Sequence, residues 1–275
     1  MTDLVQCYKL ARPDGWDFYS GKTINYRGEG IFPHIVECPN ANSKLGVCSR
    51  GVIHASIKAN DCFVGAKIPC SAYKVEGLPR CGTKEKYGFT ELTVLKEIAD
   101  LDSLFGWRYE EACNPLNPLR QKRKPTEKHL ELLRQWASVW ASVGDSVGAS
   151  VRASVWASVG DSVGASVRDS VWASVGASVG ASVGDSVRAS VRDSVWDSVW
   201  DSAWDSAWDS VRAYIGYLFG SLVKSWKYIK HEPGQYPFQP AVDLWKAGLV
   251  PSYDGKTWRL HSGKKATIVY EADDD

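Results

Sequence analysis

Between residues 137 and 212 the chain repeats one four-residue word, (Ala/Asp)-Ser-Val-(Trp/Gly/Arg), nineteen times without an insertion. The second slot is Ser in every copy from Ser138 to Ser210, and the third is Val everywhere except Ala203 and Ala207. An uninterrupted short period restricts this third of the chain to a regular, quasi-one-dimensional structure before any other residue is considered. It also carries little chemistry of its own, because no nucleophile–base or metal-ligating pattern recurs within the word.

The slots differ in tolerance. The fourth holds Trp, Gly or Arg, so it faces a permissive environment: a tight contact would not accept all three, and a position demanding positive φ would not accept Trp. Ser-Val is the structural constant. In an α-helix four residues turn the chain by about 400°, so the Val row winds slowly around the axis, opposite in sense to a heptad seam. In a β-strand the even period keeps Val on one face, as in a β-solenoid, although no slot is reserved for corner residues. The flanks favour the helix. Thr126 to Trp136 reads as a helix start behind Pro125, and Ala213 to Trp226 keeps helical spacing of large apolar residues. Against it stand the seven Gly, the β-branched Val, and a like-charge row from Asp193 to Asp209. The expectation is an α-helical rod, with the β-solenoid as alternative; the helical repeat would span about 114 Å. Apolar Val and Trp winding around such a rod predict self-association, with Val139, Val155, Val171, Val195, Trp196, Trp200, Trp204 and Trp208 as the contact residues.

A second period overlies the first. The fourth slots run Trp140, Gly144, Gly148, Arg152 and then repeat from Trp156 and Trp172 before the pattern decays. Trp, Gly and Arg are one base apart as TGG, GGG and CGG, and Ala and Asp also differ by a single base. Expansion of a twelve-nucleotide unit accounts for both layers, and it predicts a copy number that varies among relatives.

Composition excludes several classes. A net charge of +1 favours neither nucleic acid nor a membrane surface. The start of the chain lacks a signal-peptide pattern, no stretch of eighteen apolar residues exists, and Asp or Arg interrupts the repeat too often for a membrane span, so a soluble, cytoplasmic protein made without export is expected. The seven cysteines, from Cys7 to Cys113, are odd in number and read as buried thiols. Cys38, Cys48, His54 and Cys62 are spaced unlike a zinc knuckle, so neither metal nor cofactor is expected. Arg120 to Lys128 is the only dense basic run; beside Pro-rich text and without interleaved aromatics, it reads as a solvated linker rather than a nucleic-acid contact.

Residues 4–98 read as β-rich, with strands at 4–11, 51–56, 66–75 and 89–95, punctuated by Gly and Pro, and a helix from about Val94 to Ser103. Behind the repeat, His231 to Pro240 is a connector, Ala241 to Gly248 a short helix closed by Gly, and 252–261 and 265–270 are strands with Asp254-Gly255 and Ser262-Gly263 turns. Trp245, Tyr253 and Trp258 are needed as the core of so small a module. The expected organisation is α+β: a β-rich domain over 1–113, a linker over 114–125, a repeat rod with helical flanks over 126–230, and a small α+β module over 231–275.

Two resemblances attach to these residues. Cys7-Tyr-Lys9, Gly21 to Tyr26, Gly51-Val-Ile-His-Ala-Ser56 with Asp61-Cys-Phe63, Tyr73 to Glu76 and Thr93 to Ile98 look like an uncharacterised domain of phage and bacterial proteins, often placed ahead of short tandem repeats. The C-terminal Asp254-Gly-Lys-Thr-Trp-Arg-Leu-His261 text looks like tail modules of phage and metagenomic proteins with similar repeats. This resemblance implies a structural or interaction protein, with a virion or phage-infected cell as its setting. Tyr8-Lys9 and Gly51 to Ser56 also resemble the first two motifs of ADP-ribosyltransferases. That second resemblance implies an enzyme with Lys9, Ser56 and Glu91 in the catalytic roles, His54 nearby, and the rod as an assembly handle.

Overall fold

The computed structural model describes residues 3–41, 46, 49–143, 196–222 and 231–273. Two compact units divide the chain after Cys113.

The first unit is built on a seven-stranded antiparallel sheet. In chain order the strands are β1 (Val5–Ala11), β2 (His34–Glu37), β3 (Ile53–Ser56), β4 (Ser71–Gly77), β5 (Cys81–Gly82), β6 (Lys86–Phe89) and β7 (Glu91–Ile98). Their spatial order is β2-β7-β4-β1-β3-β6-β5. β1 and β4 pair along their whole length, from Val5 opposite Gly77 to Ala11 opposite Ser71. Strand alternation then sorts the side chains. Cys7, Ala11, Val36, Tyr73, Val75, Leu92, Val94, Phe89, Ile53 and Ala55 form one buried face, in one cluster with Tyr26 and Cys38. A 3-10 segment, Ala59–Val64, and two one-turn helices, α1 (Leu101–Phe105) and α2 (Tyr109–Cys113), carry a separate aromatic cluster. There Phe105 stacks on Trp107 at 5.4 Å, and Phe63 tilts against Phe105 at 5.0 Å. The helix expected from Val94 starts later. β7 continues to Ile98, and Asp100 caps α1 by accepting from the Ser103 amide at 3.0 Å.

The second unit includes Asn114 onward. Its helices are α3 (Glu127–Val143), α4 (Trp196–Leu218) and α5 (Gln239–Lys246), and its sheet is β8 (Val250–Tyr253), β9 (Thr257–Ser262) and β10 (Thr267–Asp273), in the order β10-β9-β8. On α3, Leu133 and Trp136 are buried at i, i+3 spacing, and Trp136 meets Phe238 edge-on at 6.2 Å. From Ser206 to Val211 every residue of α4 is buried, so this stretch is an interior helix rather than an amphipathic one. Tyr214 stacks on Trp245 at 5.3 Å, and both side chains reach the backbone of Leu116: the Tyr214 hydroxyl accepts from its N–H at 2.9 Å and Trp245 Nε1 donates to its carbonyl at 3.0 Å. The 114–125 stretch packs in the same way, since Leu119 is buried and the Arg123 amide donates to Ser262 Oγ at 2.8 Å. Gly248, at φ +81°, closes α5 as its position in the sequence predicts.

These findings overturn the expected fold. In place of an α+β chain built around a long rod stand two antiparallel sheets of seven and three strands, with few helices. The repeat residues that are described, 137–143 and 196–212, are helical and belong to helices of 17 and 23 residues, about 26 and 35 Å long, so neither a long helical rod nor a solenoid strand occurs among the described residues. The physical reason is that the large apolar side chains at and beside both ends of the repeat have partners. Leu133, Trp136, Trp208, Val211, Tyr214 and Leu218 are buried with α5 and β8, which a free rod would leave in water.

His261 makes this core pH-sensitive. It is fully buried, its Nδ1 donates to the Ala266 carbonyl at 3.0 Å, and its Nε2 shares a 2.7 Å hydrogen bond with the Ser252 hydroxyl. Burial, reinforced by the Arg259 charge, lowers its pKa to about 4. An unfolded chain takes up this proton near pH 6.5 and the folded one does not, so stability present above that pH is lost on acidification through about pH 4. The expected loss is about 3 kcal/mol between pH 7 and 4. Urea unfolding followed by tryptophan fluorescence at stepped pH measures it, and His261→Gln should remove most of that slope.

Candidate functional site

The first unit holds a cavity of about 660 Å³, within the range of small-molecule pockets. It opens beside the junction of β1 and β3, whose ladder contains one pair, Tyr8 opposite Ser56. Beyond that pair the carbonyl of His54 receives a side-chain donor instead, Lys9 Nζ at 2.9 Å. Lys9, His54 and Ser56 all line the cavity, together with Asp17, Tyr26, Asp61, Cys62 and Lys86. Three of the four residues named by the transferase resemblance are therefore brought together. Glu91 is not: it lies exposed on β7, opposite Glu37 of β2, and β4 and β1 separate β7 from β3.

The electrostatics of the cavity follow from burial. Desolvation lowers the pKa of Lys9, and the fields of Cys62 and Asp17 oppose that shift only in part. The same desolvation raises Cys62, whose thiol donates to the Tyr8 carbonyl at 3.2 Å, and raises Asp61. Asp17 is the exception. Burial alone would raise it, yet its carboxylate accepts from Ser20 N at 2.7 Å, Ser20 Oγ at 2.9 Å, and Thr23 N and Ile24 N at 3.1 Å each, which holds its pKa low. Asp17 thus organises the wall formed by residues 17–24.

Of the cysteine set read for zinc, Cys38, His54 and Cys62 line the cavity and Cys48 lies outside the described residues. Among the described residues no three His, Cys, Asp or Glu side chains converge to hold a metal ion. Sequence reasoning missed Asp17, Tyr26 and Lys86.

The expected self-association residues divide three ways. Val139 is half-buried on α3 and Trp208 is buried on α4. Trp196, Trp200 and Trp204 lie on α4, while Val155, Val171 and Val195 lie outside the described residues. The contact that sequence reasoning missed joins the two ends of the repeat. Trp140, closing the first copy, donates Nε1 to Asp209 Oδ2 at 3.1 Å, and Asp209 opens the last copy. Trp140 also meets Tyr253 at 5.3 Å and Trp258 at 5.8 Å, both edge-on, and those two rings stack on each other. Ser206 Oγ bridges the Tyr253 amide and carbonyl, and Arg212 pairs with Asp209 at 2.7 Å.

No protein-family model, curated protein or solved structure matches the chain. Among the described residues no helix is long and apolar enough to cross a membrane.

Asp17→Ala leaves four donors of the cavity wall without their acceptor and should cost the first unit about 2 kcal/mol. Denaturant unfolding of the full chain, compared with the parent, measures this; a change below about 0.5 kcal/mol would show that the wall holds without its carboxylate.

Proposed function

We propose that this chain is an interaction protein of structural type, in which the second unit clasps both ends of a tandem repeat whose copies self-associate. The hydrogen bond from Trp140 to Asp209 carries the reading, because it ties the first copy to the last. Both described ends of the repeat thus belong to one folded unit. Copies can be gained or lost between the clasped ends without altering what the clasp touches, which suits an expandable twelve-nucleotide unit. The Val and Trp of the word supply apolar contacts to other copies of the chain. The loose likeness to phage repeat proteins supports a virion or an infected cell as the setting.

Deleting residues 156–171, one sixteen-residue superperiod, joins Val155 to Trp172 and keeps the word in frame. The expected result is an unchanged unfolding transition, within about 0.5 kcal/mol, because no clasp residue is removed. Sedimentation velocity should show the parent assembling with rising concentration and the shortened chain assembling more weakly. A parent that stays monomeric over the whole range would overturn self-association.

A second reading has one observation in its favour, the meeting of Lys9, His54 and Ser56 in one cavity. It is an ADP-ribosyl-transferring enzyme. Glu91 lies elsewhere, so the carboxylate that stabilises the sugar cation would have to come from another residue. Incubation with labelled NAD separates the two readings: transfer or hydrolysis supports the enzyme, and neither supports the interaction protein alone.

A further inference from the structure

The cavity of the first unit holds a part-buried lysine amine that no carboxylate meets at ion-pair distance, although Asp17 and Asp61 also line it. Lys9 stands between Cys7 and Ala11 on the inward face of β1, opposite fully buried Tyr73, where strand alternation calls for an apolar residue. Its amine has the His54 carbonyl at 2.9 Å and the Tyr26 ring centroid at 5.3 Å. Among the described residues no carboxylate lies within ion-pair distance of it. A carbonyl and an aromatic face offset only part of the desolvation of an ammonium group, and buried charges are ordinarily paired. The nearby Asp17 is committed to its own loop through four hydrogen bonds. Lys86, which faces Ser56 across the β3–β6 ladder, adds a second cation to the lining.

Two further residues of the lining are different in kind. Tyr19 and Val64 are each 82% exposed. A pocket with an unanswered cation inside and an exposed aromatic ring at its lining has two complementary demands: an anionic group and a flat apolar body.

We propose that the first unit binds a small aromatic anion, its phosphate or carboxylate meeting Lys9 and its ring lying against Tyr19. The inference is independent of the repeat and requires no reaction at the site. The anion supplies the missing counter-charge, and the cavity volume accommodates a body of nucleotide size.

The test is calorimetric titration of the full chain with two anionic probes and their neutral partners: adenosine 5′-monophosphate against adenosine, and 2-naphthoate against 2-naphthylmethanol. The expected result is that at least one anion binds tenfold or more tightly than its neutral partner, the phosphate and carboxylate arms showing which group is preferred. Inorganic phosphate alone should bind at least tenfold more weakly than the preferred probe. Lys9→Gln should cut affinity for that probe at least tenfold, and Lys9→Arg should retain more of it. Tyr19→Ser, at an exposed position that leaves folding intact, should weaken it several-fold, and this variant decides the matter if Lys9→Gln fails to fold. Binding by neither anion, equal binding of anion and neutral partner, or unchanged affinity in Tyr19→Ser would overturn the proposal.

Discussion

Much of the second unit depends on where one indole is held. Trp140 closes the first copy of the repeat, meets the stacked pair of Tyr253 and Trp258 edge-on, and donates its N–H to Asp209 in the last copy. Edge-on aromatic pairs contribute about 0.5–1.5 kcal/mol each beyond burial, and a hydrogen bond to a carboxylate about 1.5–3 kcal/mol. Those are modest terms singly, but they converge on one side chain. Asp209 is in turn held by Arg212, and one turn earlier Ser206 is tied to both backbone groups of Tyr253. The beginning and end of a 76-residue repeat are thereby fastened within one unit.

The word of the repeat works differently where it is buried. A Ser in a buried helix needs a partner for its hydroxyl: Ser210 donates to the Ala207 carbonyl within its own helix at 2.7 Å, whereas Ser206 reaches the Tyr253 backbone of β8. The third slot is Ala rather than Val at Ala207, which is fully buried beside the Ser206 link to β8. The first and fourth slots of the last copy, Asp209 and Arg212, form an ion pair at i, i+3 spacing.

In the first unit the constraint is the register of β1. Seven continuous pairs with β4 determine which β1 side chains face inward, and Lys9 is among them. With a single pair, the β1–β3 ladder stops short, and the same lysine supplies the donor that the His54 carbonyl takes. The cavity and its cation thus share one origin, a ladder that ends early beside a strand that cannot shift.

Periodicity and punctuation made the local elements legible: β1, the α3 start behind Pro125, the Gly248 closure of α5 and the Asp254-Gly255 turn are all visible in the residues. They are visible because they depend on neighbours within a few positions. The short strands β2, β5 and β6 were not, since they take their structure from the strands they pair with rather than from a pattern of their own. Nor could the four-residue period reveal that its ends meet, because a repeat looks the same at every copy and the distinction between copy one and copy nineteen lies in what surrounds them. By itself the sequence determined the helical character of the repeat ends and the β-rich first unit. Only the tertiary structure decided that Trp140 meets Asp209, that Glu91 stands apart from Lys9, and that 114–125 packs into the second unit, because each depends on long-range burial that local patterns do not encode.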